Sequence, residues 1–236
     1  MQKHSISHLL SAVQNHFPAV PHHEIKLLLA HILKCSVTEL GLLYTSITEA
    51  QNRQFHQFLT RLADGIPLQY VLGSTCFYGL ELYVNPHVLI PRPETEGLVE
   101  LALSDCPSGA RILDIGCGSG AICIAMKHHR PDLHIQATDI SPEALLVAKA
   151  NALHHSCEIT FFLCDLFPPE LGSFDLIISN PPYIPRLEYE NLQAQVKDHE
   201  PATALLAEWN GERDETGILF YRRILTGVKS YSHPGT

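Results

Sequence analysis

The sequence predicts an α/β protein in which a small helical bundle precedes an open parallel sheet. Three observations predict this. Through the first 73 residues, apolar side chains recur at i, i+3, i+4 and i+7, the spacing of amphipathic helices. Beyond residue 110, short apolar runs of strand length alternate with helix-length segments, the pattern of a parallel sheet. Successive runs also end in a glycine, an acid or an amide, at Gly116, Asp139, Asp165 and Asn180. Ligands of open α/β sheets bind at those strand ends.

Composition narrows the function classes. The 236 residues are 45% apolar, which fits a packed core rather than a disordered chain. No apolar run has the length of a membrane span, so no membrane association is expected. Met1 to Ser5 starts no export-signal pattern, and a cytoplasmic location is expected. The seven cysteines form no Cys-x-x-Cys pair and lie mostly in apolar segments, so they read as core residues of a reducing compartment. The fifteen histidines are scattered, with no metal-ligand spacing. The net charge of −9 argues against direct nucleic-acid binding, which needs clustered Lys and Arg.

Residues 1–73 read as all-helical. Ser5 to His16 carries an apolar stripe through Ile6, Leu9, Leu10 and Val13, and Pro18 and Pro21 end it. His22 to Lys34 is more apolar, through Ile25, Leu28, Leu29, Ile32 and Leu33. A short helical turn around Val37 to Leu43 follows. Thr48 starts a fourth helix, and Gly65 stands just past its end. This bundle has five basic against four acidic side chains and no catalytic signature, so its role is binding or structural.

Residues 74–93 read as a hairpin or extended linker around Tyr78-Gly79, leading into Ile90-Pro91-Arg92-Pro93-Glu94-Thr95-Glu96. Glu94 to Ser104 then forms a helix with acids in its first turn, where the helix dipole favours them. Arg92, held between two prolines, reads as an ion pair with Glu94 and Glu96 or as part of a pocket wall. Arg111 to Ile115 is a strand running into Gly116-Cys117-Gly118-Ser119-Gly120, and a helix over Ala121 to His129 follows at once. Glycine lets a ligand approach such a turn closely. Asp114, two residues before the loop, suits an amine-bearing ligand better than a diphosphate. The second strand, Leu133 to Thr138, ends in Asp139, where an acid grips ribose hydroxyls. Ser141 caps a helix that Pro142 opens. The third strand, Glu158 to Leu163, leads to Asp165 and Leu166.

The fourth run, Phe174 to Ser179, ends in Asn180-Pro181-Pro182-Tyr183. Prolines cannot donate to a ladder, so the strand stops there in a rigid turn. The Asn180 side-chain oxygen and the Pro181 carbonyl are two acceptors on a stiff frame. Together they suit a planar NH2 group, on which Tyr183 can stack.

Asp114-Ile-Gly-Cys-Gly-Ser-Gly120, Asp139 and Asp165 resemble the AdoMet pocket of class I methyltransferases, a Rossmann-like fold. With Asn180-Pro-Pro-Tyr183, Ile90-Pro-Arg-Pro-Glu-Thr-Glu96, Phe77-Tyr78-Gly79 and the helical N-terminal part, the chain resembles the HemK/PrmC family of release factor glutamine methyltransferases. His199-Glu200-Pro201-Ala202-Thr203-Ala204-Leu205 matches a further family segment. The resemblance implies S-adenosyl-L-methionine as methyl donor. It implies the glutamine of the Gly-Gly-Gln motif in class-1 peptide chain release factors as methyl acceptor. Asp114, Gly116, Cys117, Gly118, Ser119, Gly120, Asp139, Asp165, Leu166 and Asn180 are the implied cofactor residues. Asn180, Pro181 and Tyr183 are the implied catalytic residues, and Pro182, Phe77 and Arg92 join them around the substrate. The domains so implied are 1–73 for substrate recognition, 74–93 as a hairpin linker and 94–236 for methyl transfer. In that family the helix over Phe220 to Ser230 and a turn at His233-Pro234-Gly235 lead to further strands. The sheet is therefore expected to be C-terminally truncated, with the Leu176–Ser179 run at an edge. Two other readings share parts of this pattern: an amino-methylating DNA or RNA enzyme, and a non-catalytic AdoMet-fold module.

Overall fold

The computed structural model describes residues 6–43, 46–169 and 172–231. Ser5 and the turn expected at His233 to Gly235 lie outside them, as does the N-terminal segment read for export. The chain divides between Leu72 and Gly73 into two units, each described here by itself.

The first unit is helical: α1 (Ile6–His16), α2 (His22–Leu33), α3 (Leu40–Leu43), α4 (Glu49–Ala63) and α5 (Leu68–Leu72). Helix α2 is the central element. Its Ile25, Leu28 and Leu29 are fully buried, and α1, α4 and α5 pack against it. Phe55 and Leu59 of α4 fill the same core. Thr48 starts α4 with a reciprocal cap. Its Oγ1 accepts from Gln51 N at 3.2 Å, and Gln51 Oε1 accepts from Thr48 N at 2.9 Å. Gly65 leaves that helix at φ 86°. Arg61 donates to the Tyr70 carbonyl at 3.1 Å, which fastens α5 to α4.

The second unit opens with a hairpin, β1 (Ser74–Phe77) and β2 (Leu80–Tyr83). Its two turn residues, Tyr78 and Gly79, both have positive φ, the two-residue turn that matches strand twist. Then come α6 (Glu94–Asp105), β3 (Arg111–Ile115), α7 (Ala121–His129), β4 (His134–Asp139), α8 (Pro142–His154), β5 (Thr160–Leu163) and β6 (Leu176–Ser179). Short elements follow: α9 (Arg186–Glu190), α10 (Ala194–Lys197), a 3-10 turn at Ala202–Ala204, and a small hairpin of β7 (Glu208–Trp209) and β8 (Glu212–Arg213). Helix α11 (Leu219–Val228) is the last element described.

The 74–93 segment is not a linker. It belongs to the second unit, and side chains of α6 and α8, among others, bind it there. Asn151 of α8 accepts from Tyr83 N at 2.7 Å and donates to Tyr83 O at 3.0 Å, continuing the hairpin's ladder with a side-chain amide. Glu96 of α6 accepts from Tyr78 N at 2.8 Å.

Among the described residues the central sheet has four parallel strands in the order β5–β4–β3–β6. Ile115 pairs with both Thr138 and Ser179, and Asp139 pairs with Leu163, so all four strands end at one level. The crossovers after β3 lead one way to β4 and β5, and β6 returns to the other side of β3. The order therefore reverses between β3 and β6, where a crevice opens at the strand ends. Strand β3 alternates faces. Ile112 packs with α7 and α8, while Leu113 and Ile115 pack with Phe174, Phe167 and Ile224 of α11. Helices thus cover both faces, as a parallel sheet requires. No helix among the described residues is long and apolar enough to cross a membrane, and no cluster of His, Cys, Asp or Glu there is suited to a metal ion.

Candidate active site

The reversal point holds a cavity whose floor is the loop after β3. Gly116 and Gly118 stand at φ 71° and 56°, and nothing lies within 4 Å of where a Cβ would sit on either. A side chain there would project into the space a ligand needs. Gly116 N and Cys117 N both donate to the Thr138 carbonyl at 2.9 Å, so the loop is sewn to β4. Asn151, fully buried, donates to Ser119 O at 2.9 Å from the other side. Cys117 and Ser119 also line the cavity. Gly120 does not. A Cβ on it would meet Ile124 Cδ1 at 2.7 Å and Ala148 Cβ at 3.3 Å. Its lack of a side chain serves the packing of α7 on α8, and the cofactor contact expected of it is corrected to that.

Two carboxylates sit under and beside this floor. Asp114 is fully buried and is absent from the cavity wall. Strand alternation explains this, because Asp114 shares the Ile112 face and points at α7. Its Oδ2 accepts from Cys123 N at 3.2 Å, satisfying one of the free amides at the start of α7. Burial pushes its carboxyl up to about 7, against the weaker lowering effect of Cys123. Its Oδ1 is buried without a partner. The direct ligand contact expected of Asp114 is therefore corrected to a position beneath the loop. Asp139, at the end of β4, does line the cavity. Its Oδ2 accepts from Gly118 N at 2.8 Å and its Oδ1 from Ser141 N at 2.9 Å. Burial raises its pKa, opposed by those amides. Each oxygen keeps acceptor capacity for hydroxyls on the cavity side.

Asp165 and Leu166, beyond β5, form the next wall. Leu166 adopts a left-handed φ of 62°, and Thr138 Oγ1 donates to its carbonyl at 2.7 Å. That strained backbone conformation persists because β4 holds it. Asp165 Oδ2 accepts from Arg223 Nη2 of α11 at 2.6 Å.

The opposite side of the cavity is the turn after β6. Asn180, Pro181 and Pro182 all line it. The turn is held at its base by Ser179 Oγ, which donates to Ile115 O at 2.8 Å. Asn180 Nδ2 donates to Thr95 Oγ1 at 3.3 Å. Tyr183 stands apart, 55% exposed and outside the cavity lining. Its backbone is clamped by Gly217, where a Cβ would lie 2.2 Å from Tyr183 O. Ile184 then pairs with Leu206, and that pairing draws the chain away from the cavity. The stacking wall expected from Tyr183 is thus corrected. Phe77 is corrected likewise: it is 1% exposed and sits in the core with Leu82 and Val99. It faces the core because it pairs with Leu80, whose side chain is also buried.

Arg92 lines the cavity, but its ion partner is neither Glu94 nor Glu96. It pairs with Glu200 at 2.5 Å, and the Glu200 side chain is only 1% exposed. Glu200 Oε2 also accepts from Ile90 N at 3.2 Å. Aromatic wall is supplied by two residues that sequence reasoning missed, Trp209 and Phe220. Arg223 lies over both rings, at 5.0 and 5.6 Å from their centroids. Trp209 rides on the β7–β8 hairpin, whose Asn210-Gly211 turn was a readable signal for that element.

Residues 7–73 match the family model of the PrmC N-terminal domain, and residues 95–200 match that of the methyltransferase small domain. The release factor glutamine methyltransferase of Bacillus cereus is 40% identical over 211 residues, covering 85% of this chain and 72% of its own length. That of Geobacter sulfurreducens is 44% identical over 179 residues, covering 75% of this chain and 61% of its own. That of Koribacter versatilis is 38% identical over 223 residues, covering 91% and 76%.

Proposed function

Because this chain belongs to the release factor glutamine methyltransferase family, we propose that it methylates the side-chain amide nitrogen of the glutamine in the Gly-Gly-Gln motif of class-1 peptide chain release factors. The second unit is a class I methyltransferase domain, and S-adenosyl-L-methionine is the methyl donor it is built for. One observation carries this reading. Asn180 and Pro181 stand on the same cavity as the side-chain-free floor of Gly116 and Gly118 and the acceptor Asp139.

The residues present fit that donor. Gly116 and Gly118 leave room at the floor for a ligand to lie against backbone. Asp139 offers oxygens to ribose hydroxyls, and Leu166 offers an apolar face beside Asp165. Asp114 lies buried beneath the loop with Oδ1 unpartnered, and a cationic ligand above it would favour its ionised form.

When bound, S-adenosyl-L-methionine supplies an electrophilic methyl group on sulfur. The chain's own task is set by the acceptor. An amide nitrogen is a poor nucleophile because its lone pair is shared with the carbonyl, the resonance behind a rotation barrier of about 18–20 kcal/mol. Asn180 Oδ1 and the Pro181 carbonyl accept from the glutamine NH2 group. They orient it, and they stabilise positive charge as it develops on nitrogen. The prolines keep these acceptors from relaxing with the chain. Trp209 and Phe220 exclude water from that side. The nitrogen becomes more acidic as the methyl group joins it, and it sheds its proton to solvent. No side-chain base is called on before attack.

The test is transfer of labelled methyl from S-adenosyl-L-methionine to a purified class-1 release factor. Label is expected on the wild-type factor and not on one with the motif glutamine replaced by asparagine. Equal labelling of both, or labelling of RNA or DNA in place of protein, would overturn the reading.

A further inference from the structure

We infer that Thr95 is the positioning residue that holds the Asn180 carboxamide in place with its oxygen free for the cavity, an inference that rests on the function proposed above. A carboxamide has a donor end and an acceptor end of nearly equal size, and its side chain turns freely unless a neighbour anchors it. The proposed role of Asn180 needs Oδ1 towards the substrate. Thr95 Oγ1 accepts from Asn180 Nδ2 at 3.3 Å, which occupies the donor end and leaves Oδ1 for the cavity. A substrate NH2 group only donates. The observed orientation therefore satisfies both ends of the carboxamide at once, whereas the reversed one sets NH2 against NH2.

Thr95 is well placed to anchor it. It lies in the first turn of α6, and its own N–H donates to Arg92 O at 3.0 Å. The frame around it is tied on both flanks. Arg92 reaches Glu200, and Glu96 takes the Tyr78 amide. Arg92, Thr95 and Glu96 each fasten a different segment, and Thr95 is the one that fastens the active-site turn.

The full chain tests this with Thr95→Val, which keeps shape and removes the acceptor, and Thr95→Ser, which keeps the hydroxyl. One readout is independent of activity: the side-chain NH2 signals of Asn180 in the 15N–1H spectrum, identified by their loss in Asn180→Asp. The other is kcat against the affinity for S-adenosyl-L-methionine. In Thr95→Val the Asn180 signals are expected to move and kcat to fall by about tenfold or more, since misplaced reacting groups lose up to about 10²-fold. Cofactor affinity is expected to hold, and Thr95→Ser to restore signals and kcat together. Should Thr95→Val fail to fold, Thr95→Ala carries the same comparison. Asn180 signals at their wild-type positions in the variant, or a wild-type kcat, would overturn the inference. A wild-type chain that leaves release factors unmethylated would overturn the function reading instead, and the spectra would still decide the role of Thr95.

Discussion

Asn180 and Asp114 show two ways in which a single polar side chain acts on this site. In the proposed reaction, Asn180 Oδ1 is the acceptor for the substrate amide. Asn180→Ala is expected to cost about 10²–10³ in kcat, the usual loss of one positioned electrostatic partner. Its cofactor affinity should stay near wild type, because Gly116, Gly118 and Asp139 are untouched. Steady-state kinetics beside calorimetry check both halves, and a variant with more than half of wild-type turnover would contradict the role. Asp114 acts from beneath. Its pKa is raised by burial from the ordinary 3.8 to about 7, so the folded chain holds this proton more tightly than the unfolded chain does. Its contribution to stability is complete below the unfolded value and is lost as pH rises towards 7. Asp114→Asn keeps an acceptor for Cys123 N and cannot ionise. Thermal melts between pH 4 and 8 are expected to show a smaller fall in Tm with pH for Asp114→Asn than for wild type. Equal slopes would mean that Asp114 is not the buried titrating group.

Elements carry the next layer, and Asn151 shows how one residue of α8 couples two of them. Its amide holds both Tyr83 N and Tyr83 O of β2 and the Ser119 carbonyl of the glycine loop. Asn151→Ala leaves these groups unpaired, at about 1–3 kcal/mol where the orphan is buried. Urea denaturation is expected to show that loss, together with weaker cofactor binding; unchanged stability would place the hairpin's anchor elsewhere. The elements were largely legible in the sequence. Apolar runs and the glycine, acid or amide that follows them located β3, β4, β5 and β6, and Thr48, Ser141 and Pro142 located helix starts, because these signals are local. Partners distant in sequence were not legible. Glu200 lies 108 residues from Arg92, and only the folded chain brings the two together. Phe77 and Tyr183 were misjudged for a related reason: an aromatic residue next to a motif announces its type but not the face it takes. Asp114 was open to better reading, since period-2 alternation already sets it on the α7 side. The β7–β8 hairpin was signalled by Asn210-Gly211, and Trp209 of the cavity wall went with it.

The whole molecule combines a helical unit and an α/β unit whose cavity lies at the reversal of strand order. The first 73 residues carry five basic against four acidic side chains, and the net charge of the chain is −9. The central claim is that this cavity delivers one methyl group to one amide nitrogen, held by Asn180 and Pro181. The most direct measurement is tandem mass spectrometry of a release factor incubated with the chain and S-adenosyl-L-methionine. The account predicts the mass of a single methyl group, located on the side chain of the Gly-Gly-Gln glutamine, present with wild type and absent with Asn180→Ala. A methyl group on any other residue, or on that glutamine at wild-type yield with Asn180→Ala, would contradict it.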